Sequence, residues 1–357
     1  MLREEVDRYF EIYRRKLFNS RLSSSDAPKA ILLGGQGAVG KGTLTETIKR
    51  SSFSGITVLS INGDEYRQFH PNFHSLIKDD LNFSRETQIF SNVFTEKLIE
   101  TGIQNRFNMI IEGTMRNPNT PLKTAKMLKD NGYSVEAYVI ASPKEFSSIN
   151  AFYRYTRELQ NQGWGRLADM RSHDAAVDGL PKSLDIIQQS GLVDRIRIFS
   201  MFAKELGADY IKGDDNKWNI VQKPSKTVEL MRERQLADVN NIDRQLQNGQ
   251  KALTVLPEPL KSQLKDYILR LESIKIKVDK VNDLDISDLT IRNIQDKWLL
   301  TATINGKPLS INGLDKEDVV DFKQKNISER QLLLRLSDDD RLKPLVNVVS
   351  NTRHFKI

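Results

Sequence analysis

Apolar positions along the first 27 residues recur near helical spacing, at Leu2, Val6, Tyr9, Phe10, Tyr13 and Leu17, which predicts one amphipathic helix running into the turn-like SSSDAP. From Lys29 to about Asp215 the pattern changes. Short apolar runs (AILLGG, TVLSI, FNMIIEG, SVEAYVIAS, RIRIFS) alternate with helical stretches. That rhythm predicts an α/β fold, a parallel sheet flanked by crossover helices. Beyond about Asn216 it stops. A polar, charge-rich helical stretch over roughly 224–280 leads to WLLTATINGKPLSI, which reads as a hairpin turning at Asn305-Gly306, and then to two short helices in DKEDVVDFKQKNISERQLLLRLSDDDR. The expected organisation is an N-terminal helix (1–27), an α/β domain (28–215), a helical linker region (216–285) and a small α+β accessory domain (286–357).

Composition narrows the function classes. With 38% hydrophobic and 28% charged residues and no apolar run long enough for a bilayer, the 357-residue chain reads as a soluble, cytoplasmic protein. The charged first 20 residues lack the pattern of a signal peptide. Zero cysteines exclude disulfides and thiolate metal sites, and four scattered histidines argue against zinc, so any metal is expected to be Mg²⁺ arriving with a nucleotide. The net charge of +7 suits anionic small molecules, and no basic tract clusters near the motifs as a nucleic-acid groove would require.

The chemistry concentrates after the first strand. Gly35, Gln36, Gly37, Ala38, Val39, Gly40 and Lys41 fit a phosphate-binding loop, in which a glycine-rich turn presents backbone N–H groups and a helix N-terminus to phosphate oxygens while lysine adds a point charge. Gly42 stands where a Mg²⁺-binding hydroxyl is usual, and Thr43 follows, as in the GKGT of adenylate-kinase-like loops. Thr43 is therefore the candidate metal contact, direct or through water. The second strand leads into Asp64 and Glu65, at the end of the sheet where open α/β folds bind ligands; by residue type Asp64 could be a general base or a helix N-cap. The third strand delivers Glu112, Thr114 and Arg116 to the same side, suited to a polyhydroxylated or nucleotide substrate or to a plain polar turn.

GGQ with the GK loop, INGDEYRQFHPNF, IEGTMRNPNTPLKTAKMLKDNGYSVEAYVIASP, FYRYTREL, GRLADMRSHDAAVDGLPKSL and SGLVDRIRIF, in this order over roughly residues 28–200, resemble the zeta toxins, bacterial P-loop kinases paired with epsilon-type antitoxins. The resemblance implies transfer of the γ-phosphate of ATP or GTP, with Mg²⁺, to the 3′-hydroxyl of the amino sugar of UDP-N-acetylglucosamine, which blocks peptidoglycan synthesis. It implies that Lys41 holds the β/γ phosphates, that Asp64 activates the sugar hydroxyl, and that Arg154 and Arg166 clamp the transferring group. Glu96, Glu112, Thr114 and Arg116 would bind the sugar nucleotide. It further implies restraint by an antitoxin, or in cis by the N-terminal helix, which is otherwise a packing element. The chain departs from the family at Gly37, Gly42 and Met115, the last where a small residue is more familiar, so an altered sugar pocket is expected there. Two other classes fit the bare motifs: a P-loop kinase acting on a nucleoside, NAD or a nucleic-acid 5′ end, and a nucleotide-binding regulator without catalysis. The C-terminal region loosely resembles small α+β repeats of mobile-element proteins and offers delivery, antitoxin docking or autoinhibition as uses.

Overall fold

The strand-forming runs of the first two hundred residues assemble because their side chains are apolar on both faces. In the computed structural model, which describes residues 3–18, 22–78 and 82–347, seven of the eight residues of strand β4 (Ser134–Ala141) are buried. Only a sheet covered by helices on both sides can use such a strand. Leu2 lies outside the described residues.

Helix α1 (Arg3–Leu17) precedes β1 (Lys29–Gly34), α2 (Lys41–Ser52) and β2 (Leu59–Asn62). A series of short helices follows, α3 (Gly63–Tyr66), a 3₁₀ turn (Arg67–Phe69), α4 (Phe73–Leu76) and α5 (Phe83–Glu86), and then the long α6 (Gln88–Gln104). Next come β3 (Met109–Glu112), α7 (Asn119–Asp130), β4, α8 (Lys144–Gln162), α9 (Met170–Gln189), β5 (Arg195–Ser200) and β6 (Leu206–Ile211). The six strands form one sheet in the order β2-β3-β1-β4-β5-β6. All neighbours are parallel except β5 and β6. The expected parallel α/β sheet is therefore observed, with an added antiparallel edge. β6 had no sequence signal because its side chains are mostly exposed or half-buried. Strand β1 sits at the switch point: the chain leaves β1 for β2 and β3 on one side and returns to β4 on the other. The loops after β1 and β3 therefore diverge there and leave a crevice at the strands' C-terminal ends.

Helix α1 is part of the core. Val6 (0% exposed) and Phe10 (3%) are buried in it, Phe10 meets Phe94 of α6 edge-on at 5.1 Å, and Tyr13 stacks on Phe69 at 4.2 Å. These contacts tie α1 to the segment that follows β2.

The chain divides into two compact units, residues 1–232 with 248–261, and residues 233–247 with 262–357. Helices α10 (Pro224–Leu236), α11 (Val239–Leu253) and α12 (Leu260–Asn282) occupy the helical stretch the sequence predicts. The second unit contains β7 (Ile286–Ile294), β8 (Lys297–Ile304), β9 (Lys307–Asn312), α13 (Lys316–Lys323), α14 (Glu329–Arg335) and α15 (Lys343–Asn347). The hairpin expected at Asn305-Gly306 joins β8 to β9, and β7 extends it to a three-stranded antiparallel sheet. Like β6, β7 exposes most of its residues and so shows no apolar alternation.

An ion cluster organises this second unit. Arg335 donates to Glu233 at 2.6 Å, to Asp318 at 2.7 Å and to Asp321 at 2.9 Å, and the Asp321 side chain is only 2% exposed. Replacing Arg335 strands a buried carboxylate, a change that costs about 3–5 kcal/mol. Urea unfolding of Arg335→Met is expected to show a loss of that size; a loss below about 0.5 kcal/mol would mean that the cluster is merely solvated surface charge.

Candidate active site

The phosphate loop occupies residues 35–40 between β1 and α2, the setting its sequence requires. Gly40 ends it with φ +96°, and a Cβ at that position would lie 2.6 Å from the Phe202 ring, so glycine is required twice over. No side chain caps α2, whose N-terminal amides and positive dipole end therefore face the loop. The Lys41 Nζ donates to the carbonyls of Gly35 at 2.9 Å and Gln36 at 3.0 Å. Burial lowers the lysine's pKa, against the opposing pull of the Glu112 and Asp64 carboxylates, while Arg154 and Arg166 push the same way as burial.

The loop is braced from three directions. Gln36, 0% exposed, donates through Nε2 to the Ser142 carbonyl and to the Ser147 hydroxyl, each at 3.0 Å. Asn150 of α8 donates to the Ala38 carbonyl at 2.6 Å, and the Phe202 amide donates to the Val39 carbonyl at 2.9 Å. Of these anchors only Gln36 is a residue the motif points to. Gly37 lies beside Ala168, 3.6 Å from where its Cβ would be, and Gly42 is exposed with open space around it. Thr43 is exposed in the first turn of α2.

Asp64 stands at the end of β2. It is not the N-cap of α3: Asn62 is, accepting the Asp64 amide at 3.1 Å. The carboxylate is thus free to turn to cations. Arg67 Nε donates to Oδ1 at 3.0 Å, and Arg166 Nη1 lies 3.9 Å from Oδ2 while donating to the Asp64 carbonyl at 2.9 Å. Burial opposes ionisation, but Arg166, Arg67 with its hydrogen bond, and Lys41 outweigh it and hold the carboxyl at about 2. Arg67 is 6% exposed and also donates to the Ser84 carbonyl, Thr87 and Gln88. Sequence reading missed it; its spacing from Asp64 is i, i+3, which puts both on one helix face.

Glu112 ends β3 and accepts from the Thr45 hydroxyl at 3.0 Å. Burial raises its pKa, Lys41 and the Thr45 bond pull it down, and Glu65 and Asp64 add to the rise. Thr114 is exposed, and its carbonyl accepts the Gly35 amide at 3.3 Å, so this strand end adjoins the phosphate loop. Arg116 is exposed. Met115 turns into the core instead of the crevice: it is 5% exposed, and a Cβ on Gly34 would lie 2.6 Å from its sulfur. Its bulk is absorbed under the sheet's end. Glu96 is exposed on α6, the helix whose Ser91 and Thr95 hydroxyls pack against Gly63 beside Asp64.

Arg154 of α8 and Arg166 of the following loop complete the wall. Glu158 holds both, accepting the Arg166 amide at 2.7 Å and lying 3.7 Å from Arg154 Nε. Burial and the repulsion of Arg166 lower the Arg154 pKa, against Glu158 and Asp64. The Nε atoms of Arg154 and Arg166 are buried without a hydrogen-bond partner among the described residues. Two arginines and a lysine gathered beside a helix N-terminus are a set suited to a phosphate chain. The structure therefore gathers Lys41, Asp64, Glu112, Arg154 and Arg166 within mutual electrostatic reach, with Thr43, Thr114, Arg116 and Glu96 exposed on the elements around them.

Comparison with known proteins agrees with this arrangement. The zeta toxin family model matches residues 15–221. The chain is 33% identical to Toxin zeta of Enterococcus hirae over 197 residues, covering 52% of this chain and 68% of that protein. It is 30% identical to Toxin PezT of Streptococcus pneumoniae over 241 residues, 66% of this chain and 89% of that one. A solved structure from a study of the S. pneumoniae PezAT chromosomal toxin-antitoxin system superposes with a TM-score of 0.57 at 26% identity, over 71% of this chain and 97% of its own. With most of the chain inside the family match and the sheet of the PezT fold, this protein belongs to the zeta toxin family.

Proposed function

We propose that the protein is a toxin kinase that transfers the γ-phosphate of ATP or GTP to the 3′-hydroxyl of the amino sugar of UDP-N-acetylglucosamine. The observation that carries this reading is the gathering of Lys41, Arg154 and Arg166 around one ionised carboxylate, Asp64, beside the uncapped N-terminus of α2. Such cation surplus around one carboxylate suits phosphoryl transfer, in which the protein mainly positions groups and neutralises charge.

In this reading the loop amides and Lys41 hold the β and γ phosphates. The acceptor oxygen forms its bond to the γ phosphorus as the bond to the β–γ bridging oxygen breaks. The hydroxyl proton passes to Asp64, and Arg154 and Arg166 neutralise the charge on the transferring group. Asp64 is a weak base at a pKa of about 2, so its main service is to orient the hydroxyl and accept its proton late. Mg²⁺ bound with the nucleotide would neutralise phosphate charge, with Thr43 as the contact in α2. Glu112, Thr114, Arg116 and Glu96 would bind the sugar nucleotide. The PezAT relative comes from a toxin-antitoxin system, and we extend that partnership to this chain as an antitoxin that restrains it. Restraint in cis by α1 is the weaker alternative, since α1 buries Val6 and Phe10 in the core.

The reading is tested by mass spectrometry of products formed with Mg²⁺, ATP or GTP, and a panel of UDP-N-acetylglucosamine, other nucleotide sugars, nucleosides, NAD and an oligonucleotide. One added phosphoryl group on UDP-N-acetylglucosamine, absent with Lys41→Ala, is expected. Phosphate on a different acceptor would reassign the Glu112 pocket, and hydrolysis alone would remove the kinase reading.

Asp64→Asn is expected to lower kcat at least about 100-fold with little change in the KM of the nucleotide, because a base acts in the transition state. Unchanged turnover would remove Asp64 from that role. The pH profile of kcat/KM for the nucleotide follows from the same shifts. Asp64, held at about 2, stays ionised across the working range and contributes no acid limb near neutrality. Lys41, lowered by burial, loses its proton early as pH rises, so an alkaline limb is expected below the ordinary lysine value of 10.5. A profile flat up to that value would contradict the Lys41 assignment.

A further inference from the structure

Behind the phosphate loop lies a chain of polar groups, half-buried at Lys144 and Asp174 and buried from His173 inward, that the reaction above does not use. Lys144 pairs with Asp174 Oδ2 at 2.8 Å, Asp174 Oδ1 meets His173 Nδ1 at 3.0 Å, and His173 Nε2 meets the Ser147 hydroxyl at 2.9 Å. Ser147 in turn accepts from Gln36 Nε2 at 3.0 Å. Gln36 and Ser147 are 0% exposed and His173 3%. Serine, histidine and aspartate in line could suggest a hydrolase, but a nucleophile sealed from solvent and committed to a glutamine amide has no substrate to attack.

Donor counting gives the chain a direction. Both Nε2 hydrogens of Gln36 are used, on the Ser142 carbonyl and on Ser147, so its amide cannot flip without setting oxygen against oxygen. Ser147 then has one proton to give, for which the Pro143 and Lys144 carbonyls, at 3.1 and 3.2 Å, compete with His173. A neutral His173 that donates Nδ1–H to Asp174 offers its Nε2 lone pair to that proton, and every group from Lys144 to the Gln36 amide nitrogen is matched. Burial favours this neutral form. At the far end, the Gln36 carbonyl accepts Lys41 Nζ at 3.0 Å.

We propose that His173, oriented by Asp174, is a positioning residue that sets the phosphate loop and Lys41 through Ser147 and Gln36. The chain meets the loop on the nucleotide side, through Gln36, and none of its bonds reaches Asp64 or Glu112. Its loss therefore acts on the nucleotide and not on the acceptor. This inference rests on the kinase reading of the crevice.

The test is calorimetric titration of Mg²⁺–ATP into the full chain, with acceptor KM measured alongside. Ser147→Ala, which leaves a buried Gln36 Nε2 hydrogen unmatched, and His173→Leu, which takes the imidazole from between Asp174 and Ser147, are expected to weaken nucleotide binding about 10-fold, with acceptor KM unchanged. His173→Gln, which keeps an acceptor for the serine proton, is expected to stay within about threefold of the parent. If Ser147→Ala binds Mg²⁺–ATP as the parent does, or if the acceptor KM moves instead, the positioning role is overturned. Ser147→Ala, the least disruptive change, decides the matter if His173→Leu does not fold. A parent protein that binds no Mg²⁺–ATP would instead overturn the kinase reading itself.

Discussion

The crevice is organised by an imbalance of charge. Lys41, Arg154 and Arg166 gather around Asp64, whose carboxyl Arg166, Arg67 and Lys41 hold at about 2 against the opposing effect of burial. The cations repel one another: burial and Arg166 lower the Arg154 pKa, and both arginines lower that of Lys41. Glu158 offsets part of this repulsion by gripping both arginine-bearing segments. What remains is a surplus of positive charge around one carboxylate, which in the proposed function a polyanion neutralises.

The fold's task is to hold these like charges together. β1 lies between β3 and β4, so the loops bearing Lys41 and Glu112 leave adjacent strand ends. The helix that follows β4 supplies Asn150 to the loop and Arg154 to the crevice one turn later. The Asp64 turn needs its own support, which Arg67 supplies by reaching Ser84, Thr87 and Gln88, with α6 and α1 packed behind it. Helices carry Lys41 and Arg154, Arg166 sits on a loop held by Glu158, and the phosphate loop is braced by side chains from elsewhere in the chain.

Much of this was legible in the sequence, for identifiable reasons. β1, β3 and β4 announce themselves as apolar runs because both their faces are buried, and β2 and β5 bury alternate residues; β6 and β7 do not, since their side chains are largely exposed or half-buried and carry no period. Lys41 and Asp64 were readable because a glycine loop and a strand end fix their surroundings locally. Arg67 was not, for its burial depends on partners 17 to 21 residues onward. The Asn150 and His173–Ser147 braces are likewise tertiary. Met115 shows the opposite error: the motif position invited a pocket role, but a left-handed backbone at φ +52° accompanies a side chain buried beneath Gly34. The zeta toxin resemblance supplied the family, and the geometry supplies the physical reason its cations stand where they do.

The central claim is that the crevice recognises a phosphate chain rather than a nucleoside. The most direct measurement compares the affinities of Mg²⁺–ATP and AMP for the same protein by calorimetric titration at fixed ionic strength. Because we propose that Lys41, the loop amides and both arginines address the phosphates, the triphosphate is expected to bind at least about 100-fold more tightly. Equal affinities would contradict the account, since recognition would then rest on the nucleoside and leave the buried cations without a purpose.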